Sequence, residues 1–411
     1  MAMRGSKWCA LIVGLLVVAG CGRADQVESR KVFDPPIAMA DDPFYQPDGS
    51  LAGVEPGAVL RQRTVSIPRA GSAPIDATQV LYRTTNERGK ASATVATIVR
   101  PAQPTPVPKI VSYQAAYDSV GWPCTPSRTI RDTVSNSGEA AIIGPLLAAG
   151  YTLVMSDYEG PTFDFGAGRE AGYGTLDGIR AAQRALNLPA STPVGMIGYS
   201  GGAIATEFAA ELAPDYAPEL TIAGAAAGGV PVNAGHLLPY LDGNPDSSVL
   251  IPRVLLGMAH ADGLDLMRYL SAEGAQIIRA AADYCGNPSG LRPPIGIRQL
   301  LAPEYQDYTT VPALDALLGQ LIMGHTATPR TPLLLAVGNS DGTGDGTVVA
   351  ADVRDLARDY CRRGATIQYS EYQGVDHSAA VRPFLTEAAS FLSARFNNQA
   401  LVGNCAALPV G

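Results

Sequence analysis

Short apolar or β-branched runs recur along the chain at residues 80–84, 94–99, 109–113, 151–155, 194–199, 221–226, 333–337 and 366–370, and their length and composition predict strands. Helical patterns separate the later runs. Residues 142–149 form one, and Thr175 as N-cap is expected to open another in which Leu176, Ile179 and Leu186 keep near-helical spacing. This alternation predicts an α/β fold, a mostly parallel sheet with helices on both faces and functional groups at the carboxyl ends of its strands. Between about 232 and 330 the strand rhythm stops. Patterns such as Val311, Leu314, Leu318 and Leu321, punctuated by Pro239, Pro252, Pro293 and Pro294, predict an inserted helical cap there. An amphipathic helix in such a cap either packs on the body below or faces lipid.

The run at 194–197 leads into Gly198-Tyr199-Ser200-Gly201-Gly202, and a small-residue helical stretch, 203–212, leads out. Strand, tight turn and helix in that order describe a nucleophile elbow. Its serine sits on a strained turn, and glycines two before and two after let strand and helix pass without a Cβ clash. The serine hydroxyl is thereby presented above the sheet.

Length and composition set limits on the rest. The chain has 411 residues, 46% apolar and 17% charged, enough for one large domain with an insertion or for two domains. A net charge of −8 without any Lys/Arg run argues against a nucleic-acid partner. Arg4 and Lys7 followed by an apolar stretch, 8–19, read as a signal peptide over 1–20, too short to span a bilayer at about 20 residues. Val18-Ala19-Gly20-Cys21 resembles a bacterial lipobox, in which Cys21 would carry lipid and tether the mature chain at the outer face of the cytoplasmic membrane; an ordinary cleavage site would leave the protein secreted. Residues 21–56 then read as the anchor cysteine and a flexible Asp/Pro/Gly-rich linker, 57–231 as the first part of the core, 232–330 as the cap and 331–411 as the second part of the core.

Six cysteines are present, and Cys9 leaves with the signal while Cys21 is taken by lipid. Cys124, Cys285, Cys361 and Cys405 should be oxidised in pairs in an exported protein, with three connectivities open. No C-x-x-C or His-rich spacing supports a metal site.

A serine hydroxyl is a weak nucleophile and needs a base, which in turn needs an orienting carboxylate. On a sheet with this elbow the acid and the base follow the serine in the chain. Of four histidines, His236, His260 and His325 fall in the expected cap, leaving His377 in the loop between the last strand and a C-terminal helix. For the carboxylate, Asp341 and Asp345 both follow the strand at 333–337, with Asp376 a weaker third because it adjoins the base. Whichever is not catalytic reads as a turn former.

Several segments in order carry a wider resemblance: Ser112-Tyr113-Gln114 with Tyr117-Asp118-Ser119, Asp157-Tyr158-Glu159-Gly160, Leu176-Asp177-Gly178-Ile179-Arg180-Ala181, the elbow, Tyr216-Ala217-Pro218-Glu219-Leu220, and the stretch from Asp345 to His377. Together they are similar to the secretory lipase family, of the lipase-A type, over about 44–405. The resemblance implies an α/β-hydrolase fold with Ser200 as nucleophile, His377 as base and Asp345 as acid, since Asp345-Gly346-Thr347-Val348 matches the family's segment. It also implies an oxyanion hole made by the Gly201 N–H and the side chain of Asp118, in keeping with the lack of an H-G-G-G loop, and disulfides pairing Cys124 with Cys285 and Cys361 with Cys405. The family often has Pro where Val349 stands, and the cap residues are too divergent to carry over.

The expected activity is hydrolysis of carboxylic esters of fatty acids through an acyl-enzyme, with no cofactor and no metal. A serine peptidase on the same fold and a non-catalytic envelope-binding lipoprotein are the alternatives.

Overall fold

A computed structural model describes residues 42–69, 72–132, 139–282, 285 and 294–408 of the chain. The expected signal peptide, Cys21 and most of the expected linker lie outside these residues.

Among the described residues nine strands form one sheet: β1 (Val59–Arg69), β2 (Ser72–Thr85), β3 (Ala91–Val99), β4 (Ile110–Gln114), β5 (Thr152–Ser156), β6 (Val194–Tyr199), β7 (Ile222–Gly228), β8 (Leu333–Asn339) and β9 (Ile367–Gln373). Their order across the sheet is β1-β2-β3-β5-β4-β6-β7-β8-β9. The pairs from β1 to β5 are antiparallel, and those from β5 through β4 to β9 are parallel. β4, β6, β7 and β8 are buried along most or all of their length, as strands covered on both faces must be, and so read as continuous apolar runs.

β1 has no such run, and the apolar-run reading misses it. It is an edge strand in which only Val65 and Ile67 are buried, while Arg61, Gln62 and Arg63 line the margin. Edge strands commonly carry charge in this way. Arg63 donates to Gln79 and pairs with Asp42 at 2.8 Å, and Tyr45 packs its ring 4.2 Å from that of Trp122. The C-terminal end of the expected flexible linker is therefore part of the fold, because Tyr45 supplies a buried aromatic.

The helices over the sheet are α1 (Pro126–Asp132), α2 (Glu139–Ala148), α3 (Gly168–Ala185), α4 (Gly201–Tyr216), α10 (Ala350–Arg362) and α11 (His377–Phe396). Ile143 and Leu146 of α2 and Phe384, Phe391 and Leu392 of α11 share one core with Ile197, Tyr199, Ala226, Leu334 and Ala336 of the strands. α3 and α4 pack together on the opposite face. Thr175 does not open α3: the helix begins at Gly168, and Thr175 is wholly buried inside it. The early start is set by packing, since Cβ atoms at Gly168 and Gly172 would stand 2.2 Å from the Phe208 ring and 2.7 Å from Leu212. The motif at 176–181 serves the same contact. Asp177 accepts from Thr84, Tyr216 and Arg180, and Arg180 also reaches Glu219 and the Tyr216 carbonyl.

Between β7 and β8 run α5 (Ala234–Leu241), α6 (Leu250–Asp262), α7 (Ala272–Ala281), α8 (Ile297–Leu300) and α9 (Pro312–Leu318), and no strand of the sheet among the described residues. α9 is shorter than its apolar spacing predicts, with Leu314, Leu317 and Leu318 facing inward and Leu321 already past its end. Cys124 is bonded to Cys285, which ties the insertion to the segment after β4, and Cys361 of α10 is bonded to Cys405. Both pairings are those the family resemblance implies.

Candidate active site

The site lies at the carboxyl ends of β4, β6 and β8, where the parallel sheet delivers three short connections to one place. Ser200 directly follows β6 with φ +57°, an unusual conformation for a residue with a side chain. Two hydrogen bonds hold it there: its N–H donates to the Gly228 carbonyl, and its carbonyl accepts from Ala203 N–H. The flanking glycines are required by close approach. A Cβ at Gly198 would stand 2.1 Å from the Gly202 carbonyl oxygen, and one at Gly202 would stand 2.0 Å from that of Gln114.

His377 is the first residue of α11, whose N-cap Asp376 accepts from Ala379 N–H. That explains Asp376: it caps a helix and does not orient the imidazole. The His377 N–H donates to the Asp345 carbonyl at 2.8 Å, and its own carbonyl accepts from the Tyr199 hydroxyl at 2.6 Å. The imidazole is fixed from both sides, with Nε2 2.8 Å from Ser200 Oγ and Nδ1 2.8 Å from Asp345 Oδ2. Asp345 is buried, and its other oxygen accepts from the N–H groups of Thr347 and Val348.

The two candidate carboxylates are placed differently. Asp341 is exposed, and it accepts from Thr343 and Gly344 N–H and from the Tyr240 hydroxyl. These bonds hold its carboxyl below the usual range, as expected of a turn former. Among the other histidines, His236 pairs with Asp352, and His260 lies 3.0 Å from the Thr162 carbonyl. Neither bonds to Ser200 or to Asp345.

Asp118 stands just beyond β4 with φ +43°. Its Oδ1 is so close to Gly201 that a Cβ there would lie 1.8 Å away. That oxygen is buried and has no hydrogen-bond partner among the described residues. Burial pushes the carboxyl up to about 6, with His377 and Arg253 pulling the other way. A partnerless, readily protonated oxygen beside the first N–H of α4 can donate to a negative oxygen placed between them.

The insertion touches this site at several points the sequence reading did not anticipate. Tyr240 of α5 accepts from Gly346 N–H while donating to Asp341, and Ser247 donates to the Gly346 carbonyl at 2.7 Å, so the turn after Asp345 is held from the insertion. Arg253 of α6 donates to the Asp118 carbonyl at 3.3 Å. Its sequence signal was available, a cation inside the apolar run Leu250-Ile251-Pro252-Arg253-Val254-Leu255-Leu256. Tyr240 and Ser247 carry no such signal, because a hydroxyl in a helix or turn is compatible with any surface.

Sheet order, elbow and inserted helices define an α/β-hydrolase. A family described as secretory lipase matches residues 127–404. Over 349 residues the chain is 33% identical to a protein described as a probable inactive lipase from Mycobacterium tuberculosis, covering 81% of this chain and 77% of that one. It is also 33% identical over 357 residues to lipase A of Arthroderma benhamiae, covering 82% and 75%. The structure superposes on Candida antarctica lipase A in its closed state with a TM-score of 0.81 at 30% identity, covering 88% of this chain and 87% of the other. The chain belongs to the secretory lipase family.

Proposed function

We propose that this protein is an exported serine ester hydrolase acting on carboxylic esters of fatty acids, with Ser200, His377 and Asp345 as its catalytic triad. The observation that carries the reading is the continuous hydrogen-bonded line from Ser200 Oγ through the imidazole to the buried Asp345 carboxylate. His377 Nε2 takes the Ser200 proton as Oγ attacks the ester carbonyl carbon, and Asp345 stabilises the imidazolium. The carbonyl oxygen becomes an oxyanion between the Gly201 N–H and the protonated Asp118. Collapse breaks the bond to the alcohol, which leaves with the proton from His377. Water then attacks the acyl-enzyme by the same route in reverse and releases the acid and Ser200.

A relative described as probably inactive makes a direct test necessary. Turnover should be measured on p-nitrophenyl esters of increasing chain length, emulsified triglyceride and peptide amides. Ester hydrolysis lost on the order of 10⁶-fold in a folded Ser200→Ala variant is expected. Amide cleavage alone would favour a peptidase, and no turnover at all would favour a binding lipoprotein.

Two further parts belong to the proposal. The helical insertion over 232–330 would act as the cap over the acyl site, supported by its contacts to Asp118 and to the Asp345 turn. Cys21 would carry the lipid that anchors the protein at the outer face of the cytoplasmic membrane. Metabolic labelling with a fatty acid, lost in Cys21→Ser, tests the anchor, and an unmodified mature terminus beyond Cys21 would leave a secreted enzyme.

A further inference from the structure

Helix α6 reaches both sides of the place proposed for the oxyanion. Arg253 is 1% exposed, and its Nη1 donates to the main-chain carbonyl of Asp118. A guanidinium buried on an aliphatic helix is unfavourable unless neighbouring groups offset its desolvation. Asp118 and Glu159 are the acidic groups that face it, and the Asp118 carbonyl accepts its Nη1–H. Asp118, for its part, has φ +43°, a left-handed conformation that residues with a side chain adopt sparingly and that neighbouring contacts help to hold.

The same helix also bears on Gly201. A Cβ at Gly257 of α6 would stand 2.3 Å from the Phe165 carbonyl oxygen, so helix and loop are in backbone contact. The Phe165 ring in turn lies 3.2 Å from where a Gly201 Cβ would be. Displacing α6 would release the Asp118 main chain and the packing behind Gly201 together.

We propose that Arg253 is a positioning residue for the oxyanion hole, holding the Asp118 main chain in its left-handed conformation so that the hole is complete only when α6 is seated. The proposal rests on Asp118 being the side-chain donor of that hole. It makes the insertion part of the catalytic apparatus as well as a cover, since one of its side chains fixes a donor.

Arg253 also has an electrostatic effect that a purely structural residue would lack. The groups facing Asp118 are His377 and Arg253, together with Glu159, Glu139 and Tyr158. Among them Arg253 favours the ionised form of Asp118, so removing its charge moves that titration to higher pH.

The experiment is kcat and KM against pH on a soluble short-chain p-nitrophenyl ester, for wild type, Arg253→Met, Arg253→Lys, Asp118→Ala and Asp118→Asn with and without Arg253→Met. In Arg253→Met, kcat should fall about 10- to 100-fold with KM little changed, as for a weakened oxyanion donor, and the alkaline limb should move to higher pH. Arg253→Lys keeps the charge, so its alkaline limb should stay at the wild-type pH while kcat falls at least about threefold, because the planar fork is lost. In the Asp118→Asn background Arg253→Met should move no alkaline limb and cost less in kcat than in wild type. A folded Arg253→Met with unchanged kcat and limb, whatever its melting temperature, overturns the positioning role while an impaired Asp118→Ala preserves the donor reading. Wild-type turnover in Asp118→Ala removes the donor reading and this proposal with it. Should Arg253→Met not fold, Arg253→Lys decides, and wild-type kcat there overturns the proposal.

Discussion

Gly201 and Asp118 occupy adjoining space so completely that a single added carbon on Gly201 would fall 1.8 Å from Asp118 Oδ1. The glycine after Ser200 therefore serves more than elbow geometry: its missing side chain is the space in which the Asp118 carboxyl sits.

Gly201→Ala should accordingly displace Asp118 while leaving Ser200, His377 and Asp345 in place, since α4 tolerates alanine. We expect kcat to drop about 10²- to 10³-fold, as for loss of one oxyanion donor, with serine-directed phosphonate labelling of Ser200 slowed but retained. Turnover near the wild-type rate would show that the two residues need not be this close.

The proposed donor role of Asp118 carries a pH signature. With its carboxyl pushed up to about 6 by burial, Asp118 is protonated and able to donate below that pH, and ionised and repulsive above it. kcat/KM should decline with an apparent pKa near 6 on the alkaline side, since that parameter reports the free enzyme. Asp118→Asn donates at every pH and should flatten this limb. A limb of the same midpoint in the asparagine variant would assign it to another group.

For the proposed triad acid, Asp345→Asn should cost about 10⁴ in kcat by leaving the imidazole in the wrong tautomer. Asp341→Asn should keep turnover within a few-fold, because that carboxylate serves a turn and the Tyr240 hydroxyl. Parallel kinetics of the two variants decide between them, and the reverse ranking would exchange their roles.

Buried acids shape stability. Burial pushes both Asp157 and Asp164 up to about 7, against hydrogen bonds from Ser127 to the first and from Thr162 to the second. An unfolded chain releases these protons near pH 4, so between about 4 and 7 the folded state holds the extra protons and stability falls as pH rises. Glu371 acts in the opposite sense. Despite its burial, hydrogen bonds from Tyr369, Asn339, Arg354 and Gln373 hold it down at about 2, so its contribution is present above pH 4 and lost toward pH 2. The melting temperature should therefore peak near pH 4 to 5, and Asp157→Asn should reduce its decline toward pH 7. A decline of unchanged slope in that variant would refute the assignment to Asp157.

Much of this protein was legible in its sequence because its physics is local. A strand buried on both faces must be apolar along its length, so β4 to β8 announce themselves. A serine on a left-handed turn between strand and helix needs small neighbours, so Gly198 and Gly202 mark the elbow. Position and elimination single out His377 as the candidate base, and the fold places its imidazole between Ser200 and Asp345. The edge strand β1 was not legible, because one buried face and a charged margin leave no apolar run, and the start of α3 was misread because Phe208 and Leu212, far along the chain, select glycines where a capping rule favours Thr175.

Only the tertiary structure decided among residues whose local sequence is equivalent. Asp341 and Asp345 both lie in one Gly-rich loop and suit a turn equally well; the crossing of α11 over the end of β8 brings His377 to one of them and leaves the other in solvent. Arg253 likewise carries a legible oddity, a cation in an apolar helix, yet its target became visible only when the chain between β7 and β8 folded back over the end of β4. Hydrogen bonds and charge pairs act over a few ångströms in space, whereas Arg253 and Asp118 are 135 residues apart along the chain and no periodicity encodes that distance.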